Sequence, residues 1–308
     1  MTLKKNPLHV VENEPKKPTF PAWLRRSLPK GGQLYKTGSI VKKYQINTVC
    51  EEAKCPNRFS CYAKKTATFL ALGKSCTRSC AFCDIDFTKT PKALEKDEPL
   101  RIALSAKELG LKHIVITMVA RDDLDDGGAD QLVQIMRKVR EHNPKATLEI
   151  LTSDFSGNAD ALKTVLNEKP EIFNHNVETV ERLSPKIRHK ASYKRSLDLL
   201  KKASHMYKAK YIKSGLMLGL GESPEEVLKT MRDMKEVGVT VVTIGQYLQA
   251  SRKKIRVKQF IPPSMFDRYE DYGKSIGLLY VYAGPFVRSS LNAKEVHALL
   301  SKKNTNFY

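Results

Sequence analysis

All six cysteines of this 308-residue chain lie within one stretch of 34 residues, in two groups of three. The first triplet is Cys50, Cys55 and Cys61, and the second triplet is Cys76, Cys80 and Cys83. Thiolates are soft ligands that suit iron–sulfur clusters, zinc or Cu(I), and a four-iron cluster normally takes four of them. Because each triplet is one ligand short, we expect two iron–sulfur clusters, each with one iron open to another ligand.

Disulfides and zinc are the alternative uses of these cysteines. Three disulfides would need an oxidising compartment, but no secretory signal is visible and a chain of this size does not need them. Zinc is the stronger alternative, because C-x2-C pairs such as Cys80 and Cys83 are common in zinc sites. Structural zinc takes closed sets of four ligands, however, and the next His downstream is His113, in a predicted strand. Zinc therefore remains an alternative for either triplet taken alone, but it is a much weaker explanation for both triplets together.

Length and composition favour one large domain with small appendages, since 41% of the 308 residues are hydrophobic. No apolar run approaches the roughly 18 residues of a membrane span. Residues 1–18 are polar, include Glu12 and Glu14, and lack the apolar stretch of a signal peptide. We therefore expect a cytoplasmic protein with reduced cysteines and no membrane partner.

The net charge is strongly positive, at +21, from 54 Lys and Arg against 33 Asp and Glu. Such a balance favours an acidic partner, whether nucleic acid, a phosphorylated ligand or an acidic protein surface. The basic residues concentrate in 1–49, 182–213 and 252–258, although each run could equally be a solvated face. Aromatic residues make up only 8% and do not interleave with basic ones, so nucleic acid is not favoured.

From residue 66 onward, apolar β-branched runs alternate with amphipathic segments of helix length. The predicted strands are 67–73, 113–119, 147–152, 172–178, 211–219 and 241–247. The predicted helices are 99–109, 128–142, 158–167, 192–207 and 223–237. Strands that alternate with crossover helices form right-handed parallel units. Six units predict an α/β fold, an incomplete (β/α)6 barrel of the TIM type, although an open doubly wound sheet would give similar periodicity.

The carboxyl ends of the strands should carry the active site in either parallel fold. The second triplet directly follows the first predicted strand, which places it on the first βα loop. Polar side chains follow other strands too, namely Arg121, Asp122, His175, Asn176 and Glu178. Such residues can also cap the next helix or pack in the core, so both interpretations stay open.

The second triplet resembles the C-x3-C-x-Φ-C signature of the radical S-adenosylmethionine (SAM) superfamily, with Phe82 as the aromatic residue. The resemblance implies that the open iron binds the amine and carboxylate of SAM. It also implies that cluster reduction cleaves SAM to methionine and a 5′-deoxyadenosyl radical, which abstracts a hydrogen atom. The protein would supply position and exclude water, while the cofactor carries the chemistry.

The first triplet, C-x4-C-x5-C, resembles the auxiliary-cluster motif of the lipoyl synthase family. Matching segments cover roughly residues 20–295 and begin at Pro21, Arg121, Phe173, Lys213, Thr243 and Gly284. The resemblance implies a sulfurtransferase that inserts two sulfur atoms at carbons 6 and 8 of an octanoyl chain on a lysine of a lipoyl carrier domain. Its cofactors would be SAM and two [4Fe–4S] clusters, of which the auxiliary cluster is the sulfur source.

The same resemblance assigns residues and segments. A serine of the C-terminal Arg-Ser-Ser motif binds the fourth auxiliary iron, and by position this is Ser290. The second triplet and Ser290 would be catalytic, and the six cysteines with Ser290 would ligate iron. Asn176 and Glu178 are candidate SAM contacts, with Arg121 as a further candidate. The chain would comprise an N-terminal arm (1–65) with the auxiliary-cluster cysteines, a radical SAM partial barrel (66–250) and a C-terminal extension (251–308) that supplies the serine. Separately from the resemblance, the prolines of the first fifty residues predict that this part of the arm is irregular.

The implied partners are octanoylated carrier domains, namely 2-oxoacid dehydrogenase E2 subunits and the glycine cleavage H protein. A ferredoxin or flavodoxin would reduce the clusters, and an iron–sulfur carrier would repair the auxiliary one. Carrier domains are typically acidic around the modified lysine, so part of 182–213 or 252–258 should face them. Met118, Leu216 and Met217 are candidates for an apolar tunnel around the octanoyl chain. Met118 and Leu291 depart from the family's usual residues.

Two other functions stay open on the sequence alone. A radical SAM methylthiotransferase acting on RNA also pairs two clusters, but its additional cysteines normally lie in a distant N-terminal domain. Here only 14 residues separate Cys61 from Cys76. A zinc-stabilised nucleic-acid-binding protein would also be basic, and its metal and sulfide content would distinguish it from both enzymes.

Overall fold

A computed structural model of the chain describes residues 20–29, 31–206 and 211–290. The predictions for residues 1–19, for Tyr207 as the end of a helix, for residues 291–308 and for Leu291 lie outside these ranges. The strands are β1 (Thr68–Ala71), β2 (Ser75–Cys76), β3 (Asp86–Phe87), β4 (His113–Met118), β5 (Thr147–Leu151), β6 (Ile172–Asn174), β7 (Tyr211–Leu218), β8 (Val241–Gln246) and β9 (Tyr280–Gly284). The α-helices are α1 (Gln33–Lys43), α2 (Val49–Glu52), α3 (Arg58–Ala63), α4 (Glu98–Leu109), α5 (Ala129–His142), α6 (Ala159–Asn167), α7 (Ser184–Ile187), α8 (Tyr193–Met206), α9 (Pro224–Glu236) and α10 (Pro263–Ser275).

Seven parallel strands form one sheet in the order β1-β4-β5-β6-β7-β8-β9, with helices between successive strands. The incomplete α/β barrel is thereby confirmed, but it has one strand more than the six predicted. The additional unit is α10 with β9, which lies beyond the predicted barrel boundary at residue 250. Only one of the five β9 residues is buried, so β9 lacks the continuous apolar run that marks a central strand.

The predicted core strands and helices follow from strong local signals. Every residue of β4 and of β8 is buried, as expected for strands covered on both faces. Helix α9 begins with a capping box, in which Ser223 accepts from the Glu226 amide at 3.3 Å and the Glu226 carboxylate accepts from the Ser223 amide at 2.8 Å. None of the helices in the described ranges is long and apolar enough to cross a membrane.

The N-terminal arm is more ordered than its prolines predict. Residues 33–43 form helix α1, because no proline lies between Pro29 and Pro56 to interrupt it. The Thr37 hydroxyl of α1 donates to the buried carbonyl of Tyr62 at 2.8 Å, which joins α1 to α3. The arm then runs along the free edge of β1, where the Leu70 amide donates to the Asn47 carbonyl at 2.9 Å. The prediction that the first fifty residues are irregular is therefore wrong for residues 33–43.

Candidate active site

A cavity of about 300 Å³ opens at the carboxyl ends of the strands. Its wall includes Cys55 of the first triplet, all three cysteines of the second triplet, and Ser290. Asn176 and Glu178 line it as well. The fold thus brings Cys55, the second triplet, the candidate SAM contacts and the C-terminal serine to one cavity.

The second triplet lies on the loop after β1, as predicted. Short strands β2 and β3 brace this loop, and the Thr77 amide donates to the Ala120 carbonyl at 3.0 Å. On the far side of the loop, the Ala81 amide donates to the Ile187 carbonyl at 2.9 Å. The Arg78 amide points at the Cys76 sulfur at 3.4 Å. Backbone hydrogen bonds therefore fix the loop on both sides of Cys80.

Arg78, inside the second triplet, anchors the loop through two carboxylates. Its guanidinium lies 2.6 Å from a carboxylate oxygen of Asp122 and 2.6 Å from one of Asp154. Burial alone would raise the pKa of Asp122, but the hydrogen bonds and charge of Arg78 hold it well below its usual range. Asp122, which we predicted as a strand-end polar residue, thus fixes the cluster loop. Sequence spacing alone did not indicate this role for Arg78.

The first triplet lies on two short helices and the turn between them. Cys50 is in α2, which is capped by Thr48, and Cys61 is in α3. Lys54 adopts a left-handed conformation (φ 49°) that ends α2 and directs the chain to Cys55 in the turn. Lys54 also pairs with Asp84 at 2.6 Å, which ties the first triplet to the residue that follows Cys83.

The cysteines supply the donors that iron–sulfur clusters take. All six are free thiols. A four-iron cube needs its thiolates spread around its corners, so the donor type and the shared cavity fit two clusters. Burial raises the pKa of Cys50 and of Cys83 to about 12.

Asn176 and Glu178 follow β6 and lie in the cavity wall. The Asn176 amide donates to a Glu178 carboxylate oxygen at 3.2 Å. Glu178 has a positive φ of 67°, and its backbone bonds to Gly215 and Met217 of β7 hold it there. Burial raises the pKa of the Glu178 carboxyl. The pair therefore offers fixed amide and carboxyl groups to a polar ligand.

Two of the polar residues predicted at strand ends, Arg121 and His175, make their contacts outside the cavity wall. The Arg121 guanidinium, almost fully buried, lies 2.8 Å from a carboxylate oxygen of Asp123 and does not form part of the cavity wall. His175 is 2% exposed and bonds to the Thr152 carbonyl and the Ser196 hydroxyl, each at 2.9 Å. Burial lowers the pKa of His175 to about 4, so it is a neutral core histidine.

Of the three residues predicted to line an apolar tunnel, two line the cavity and one does not. Leu216 and Met217 of β7 line the cavity and give it apolar surface. Met118, at the end of β4, packs in the hydrophobic core and is only 8% exposed. Its departure from the family's usual residue therefore affects packing behind the wall.

The C-terminal Arg-Ser-Ser segment fits against glycines of two neighbouring strands. A Cβ atom at Gly245 would lie 2.0 Å from the Val287 carbonyl oxygen, which no side chain could tolerate. A Cβ at Gly215 would lie 2.9 Å from the Ser289 hydroxyl. Ser289 in turn donates to the Asn176 side-chain oxygen at 2.8 Å. The glycines thus make room for the segment that brings Ser290 into the cavity.

The sequence pattern of the Radical SAM superfamily matches residues 70–245, more than half of the chain. Among solved structures, methylornithine synthase superposes with a TM-score of 0.54 at 14% identity, over 70% of this chain and 69% of that one. At this level of identity, the superposition shows a shared fold. The matched fold and the C-x3-C-x2-C loop in the cavity define the class of protein, a radical SAM enzyme.

Two curated relatives identify the family within this class of enzyme. Lipoyl synthase of Protochlamydia amoebophila is 57% identical over 90% of this chain and 86% of its own length. Lipoyl synthase of Chlamydia muridarum is 54% identical over 92% of each chain. The chain belongs to the lipoyl synthase family. It is a radical SAM sulfurtransferase with SAM and two [4Fe–4S] clusters as cofactors and lipoyl carrier domains as substrates, and the methylthiotransferase and zinc-protein alternatives are not favoured.

Proposed function

We propose that the cavity is where the octanoyl chain of a carrier domain receives sulfur at carbons 6 and 8. The second triplet would hold the SAM-binding cluster, and the first triplet with Ser290 would hold the sulfur-donating cluster. One observation carries this proposal, namely that Cys55 of the first triplet, all three cysteines of the second triplet and Ser290 line the same cavity. The clusters supply the radical chemistry and the sulfide when bound, and the surrounding residues supply position and a wall that excludes water.

The SAM side of the cavity is the polar side. Asn176 and Glu178 are our proposed SAM contacts, because both residues line the cavity that contains the second triplet. Arg121 would act only indirectly, since its guanidinium contacts Asp123 and the Leu72 carbonyl instead of the cavity. A polar wall of this kind can orient the hydroxyl and amine groups of a nucleoside-linked amino acid.

The acyl chain would occupy the apolar side. Leu216 and Met217 offer hydrocarbon surface to the cavity, as do Val49, Ile85 and Leu248. Each buried methylene of the octanoyl chain would contribute about 0.8 kcal/mol to binding. The apolar wall thus favours an aliphatic chain placed between the hydrogen-abstracting and sulfur-donating centres.

The three segments take distinct parts in this proposal. Residues 1–65 would deliver the auxiliary-cluster cysteines, 66–250 would form most of the radical SAM barrel, and 251–308 would add its last strand and supply Ser290. All six cysteines are free, which suits a cytoplasmic location. We further propose 2-oxoacid dehydrogenase E2 subunits and the glycine cleavage H protein as carriers. A ferredoxin or flavodoxin would supply electrons, and an iron–sulfur carrier would replace the consumed sulfide.

Ser290→Ala tests the assignment of the sulfur-donor site. An alkoxide is a harder and more easily displaced ligand than a thiolate, so it suits a cluster that must be dismantled. We expect Ser290→Ala to keep SAM cleavage but to lower sulfur insertion about a hundredfold or more. Mass spectrometry of an octanoylated carrier domain measures insertion, and 5′-deoxyadenosine measures cleavage.

Two further variants sharpen this test. Ser290→Cys should keep a four-iron cluster yet insert sulfur slowly, because a thiolate is harder to displace. Ser275→Ala, on the exposed surface of α10, is the matched control and should behave as wild type. Full insertion by Ser290→Ala would show that another group binds the fourth iron.

We place the basic rim that meets the carrier in 252–258, because that run closely follows cavity-lining Ala250. Lys253 and Arg256 of this run are exposed. The run 182–213 also has exposed lysines, but its Lys213 is fully buried against Glu149 and its Arg188 is buried beside Ser196. We propose that this segment attracts the acidic carrier surface.

A charge reversal tests the rim. The Lys253→Glu/Arg256→Glu variant should raise KM for the carrier about tenfold at low ionic strength with kcat unchanged, because steering acts on encounter. The difference should shrink as salt rises. Lys163→Glu/Lys201→Glu, on the exposed faces of α6 and α8, makes the same change in net charge and should leave KM unaltered. Equal effects of both pairs would indicate only a net-charge effect and would reject a local rim.

A further inference from the structure

The Asn57 side chain joins two distant parts of the chain at the edge of the cavity. Asn57 lies between Cys55 and Cys61 of the first triplet and is only 1% exposed. Its side-chain oxygen accepts a hydrogen bond from Arg26 at 2.9 Å, and its side-chain nitrogen donates to the Phe286 carbonyl at 2.7 Å. Both ends of the amide are therefore used, one toward the N-terminal arm and one toward the C-terminal segment.

Arg26 closes this contact into a three-residue unit. Its guanidinium carbon lies 3.4 Å from the centre of the Phe286 ring, a cation–π contact, while Arg26 also donates to Asn57. We call Arg26, Asn57 and Phe286 the clasp. Each member touches the other two, so the clasp fixes the Phe286 backbone relative to the turn that carries Cys55.

The clasp holds the start of the segment that ends in Ser290. Four residues span at most about 14 Å of chain, so the place of Phe286 limits where Ser290 can be. Beyond Phe286 the segment is confined by Gly245, where a Cβ would lie 2.0 Å from the Val287 carbonyl oxygen. Ser289 is fixed by its 2.8 Å bond to Asn176. The segment is thus held at its start by the first triplet and at its end by the barrel.

We propose that Asn57 is a positioning residue that, through the clasp, holds Ser290 within reach of the first triplet's cluster. This inference rests on the proposed role of Ser290 as the fourth ligand. The physical reason is that an alkoxide binds iron less firmly than a thiolate, so a ligand from a chain segment far from the cysteines needs to be held in place beforehand. Because Asn57 lies within the triplet itself, one side chain sets the separation between three ligands and the fourth.

Asn57→Ala tests this role through a spectroscopic signature. A cluster that loses its fourth ligand tends to lose that iron, and an oxidised three-iron cluster is paramagnetic whereas an oxidised four-iron cluster is not. In the anaerobically reconstituted enzyme with excess SAM, which covers the open iron of the other cluster, iron should fall from about eight to about seven per chain. An electron paramagnetic resonance signal approaching one spin per chain should appear in its place.

Two companion variants separate positioning from general packing. Asn57→Asp keeps the acceptor for Arg26 but cannot donate to the Phe286 carbonyl, so it should give the same three-iron signal. Asn143→Ala is the matched control, because the Asn143 amide donates to the Ala103 carbonyl at 3.0 Å between helices α5 and α4. That control should keep about eight iron and give no signal.

The Ser290→Ala protein distinguishes failure of this inference from failure of the ligand assignment. A three-iron signal in Ser290→Ala but none in Asn57→Ala or Asn57→Asp would overturn the positioning role and leave the ligand in place. About eight iron and no signal in all three would overturn both. If Asn57→Ala fails to fold, Arg26→Ala removes the other half of the clasp, and a partial three-iron signal there supports the inference whereas its absence rejects it.

Discussion

Replacing all three cysteines of the second triplet by Ala is expected to abolish 5′-deoxyadenosine formation, because no other described group can hold the SAM-binding cluster on that loop. The same replacement in the first triplet should leave SAM cleavage intact but abolish sulfur insertion. The second-triplet variant thus loses both SAM cleavage and sulfur insertion, whereas the first-triplet variant loses sulfur insertion alone. Chromatography of 5′-deoxyadenosine and mass spectrometry of the octanoylated carrier measure the two halves in the same sample.

Retained SAM cleavage shows that the first-triplet variant is folded, and about four iron per chain in the second-triplet variant would show the same for that protein. Loss of SAM cleavage in both would mean that the first triplet is needed to build the SAM site. Sulfur insertion by the first-triplet variant would mean that the sulfur comes from elsewhere. Either result would contradict the division of labour between the triplets.

The second large effect is expected in the core. Lys213 and Glu149 are both fully buried, and the ammonium lies 2.9 Å from a carboxylate oxygen. Burial alone would raise the pKa of Glu149, but Lys213 holds it well below its usual range. Lys213→Met would leave a buried carboxylate without its cation and should lower the free energy of unfolding by about 3–5 kcal/mol. Urea denaturation of the cluster-free protein measures this change.

The double variant Lys213→Met/Glu149→Gln is the control for this prediction. The Gln side-chain oxygen can still accept the 2.8 Å hydrogen bond that Asn174 donates to Glu149. Most of the lost stability should return, because no isolated charge remains. A loss below about 1 kcal/mol in Lys213→Met would indicate a solvated pair and would contradict the observed burial.

Much of the barrel could be predicted because its signals are local. Helix α9 carries its own capping box and β8 its own apolar run, so neither needs information from the rest of the chain. Helix α1 and strand β9 were missed for opposite reasons. The prolines before and after α1 suggested an irregular chain, but the segment that forms α1 contains no proline. Strand β9 is only partly buried and is stabilised by its pairing with β8, which its own sequence does not reveal.

The site could be predicted in part. Cysteine spacing and the carboxyl-end rule located the second triplet, and the structure places Asn176 and Glu178 beside it. The clasp could not be predicted, because 229 residues separate Asn57 from Phe286. Gly215 and Gly245 did give a signal, since a glycine inside a strand indicates close approach of another backbone. Nothing in the sequence said which backbone that would be.

Iron and acid-labile sulfide per chain, measured on anaerobically reconstituted wild type beside the first-triplet variant, test the central claim of two clusters most directly. We predict about eight iron and eight sulfide in wild type and about four of each in the variant, since two four-iron cubes then become one. About four of each in both proteins would show that the first triplet holds no cluster. Zinc without sulfide would contradict the iron–sulfur account altogether.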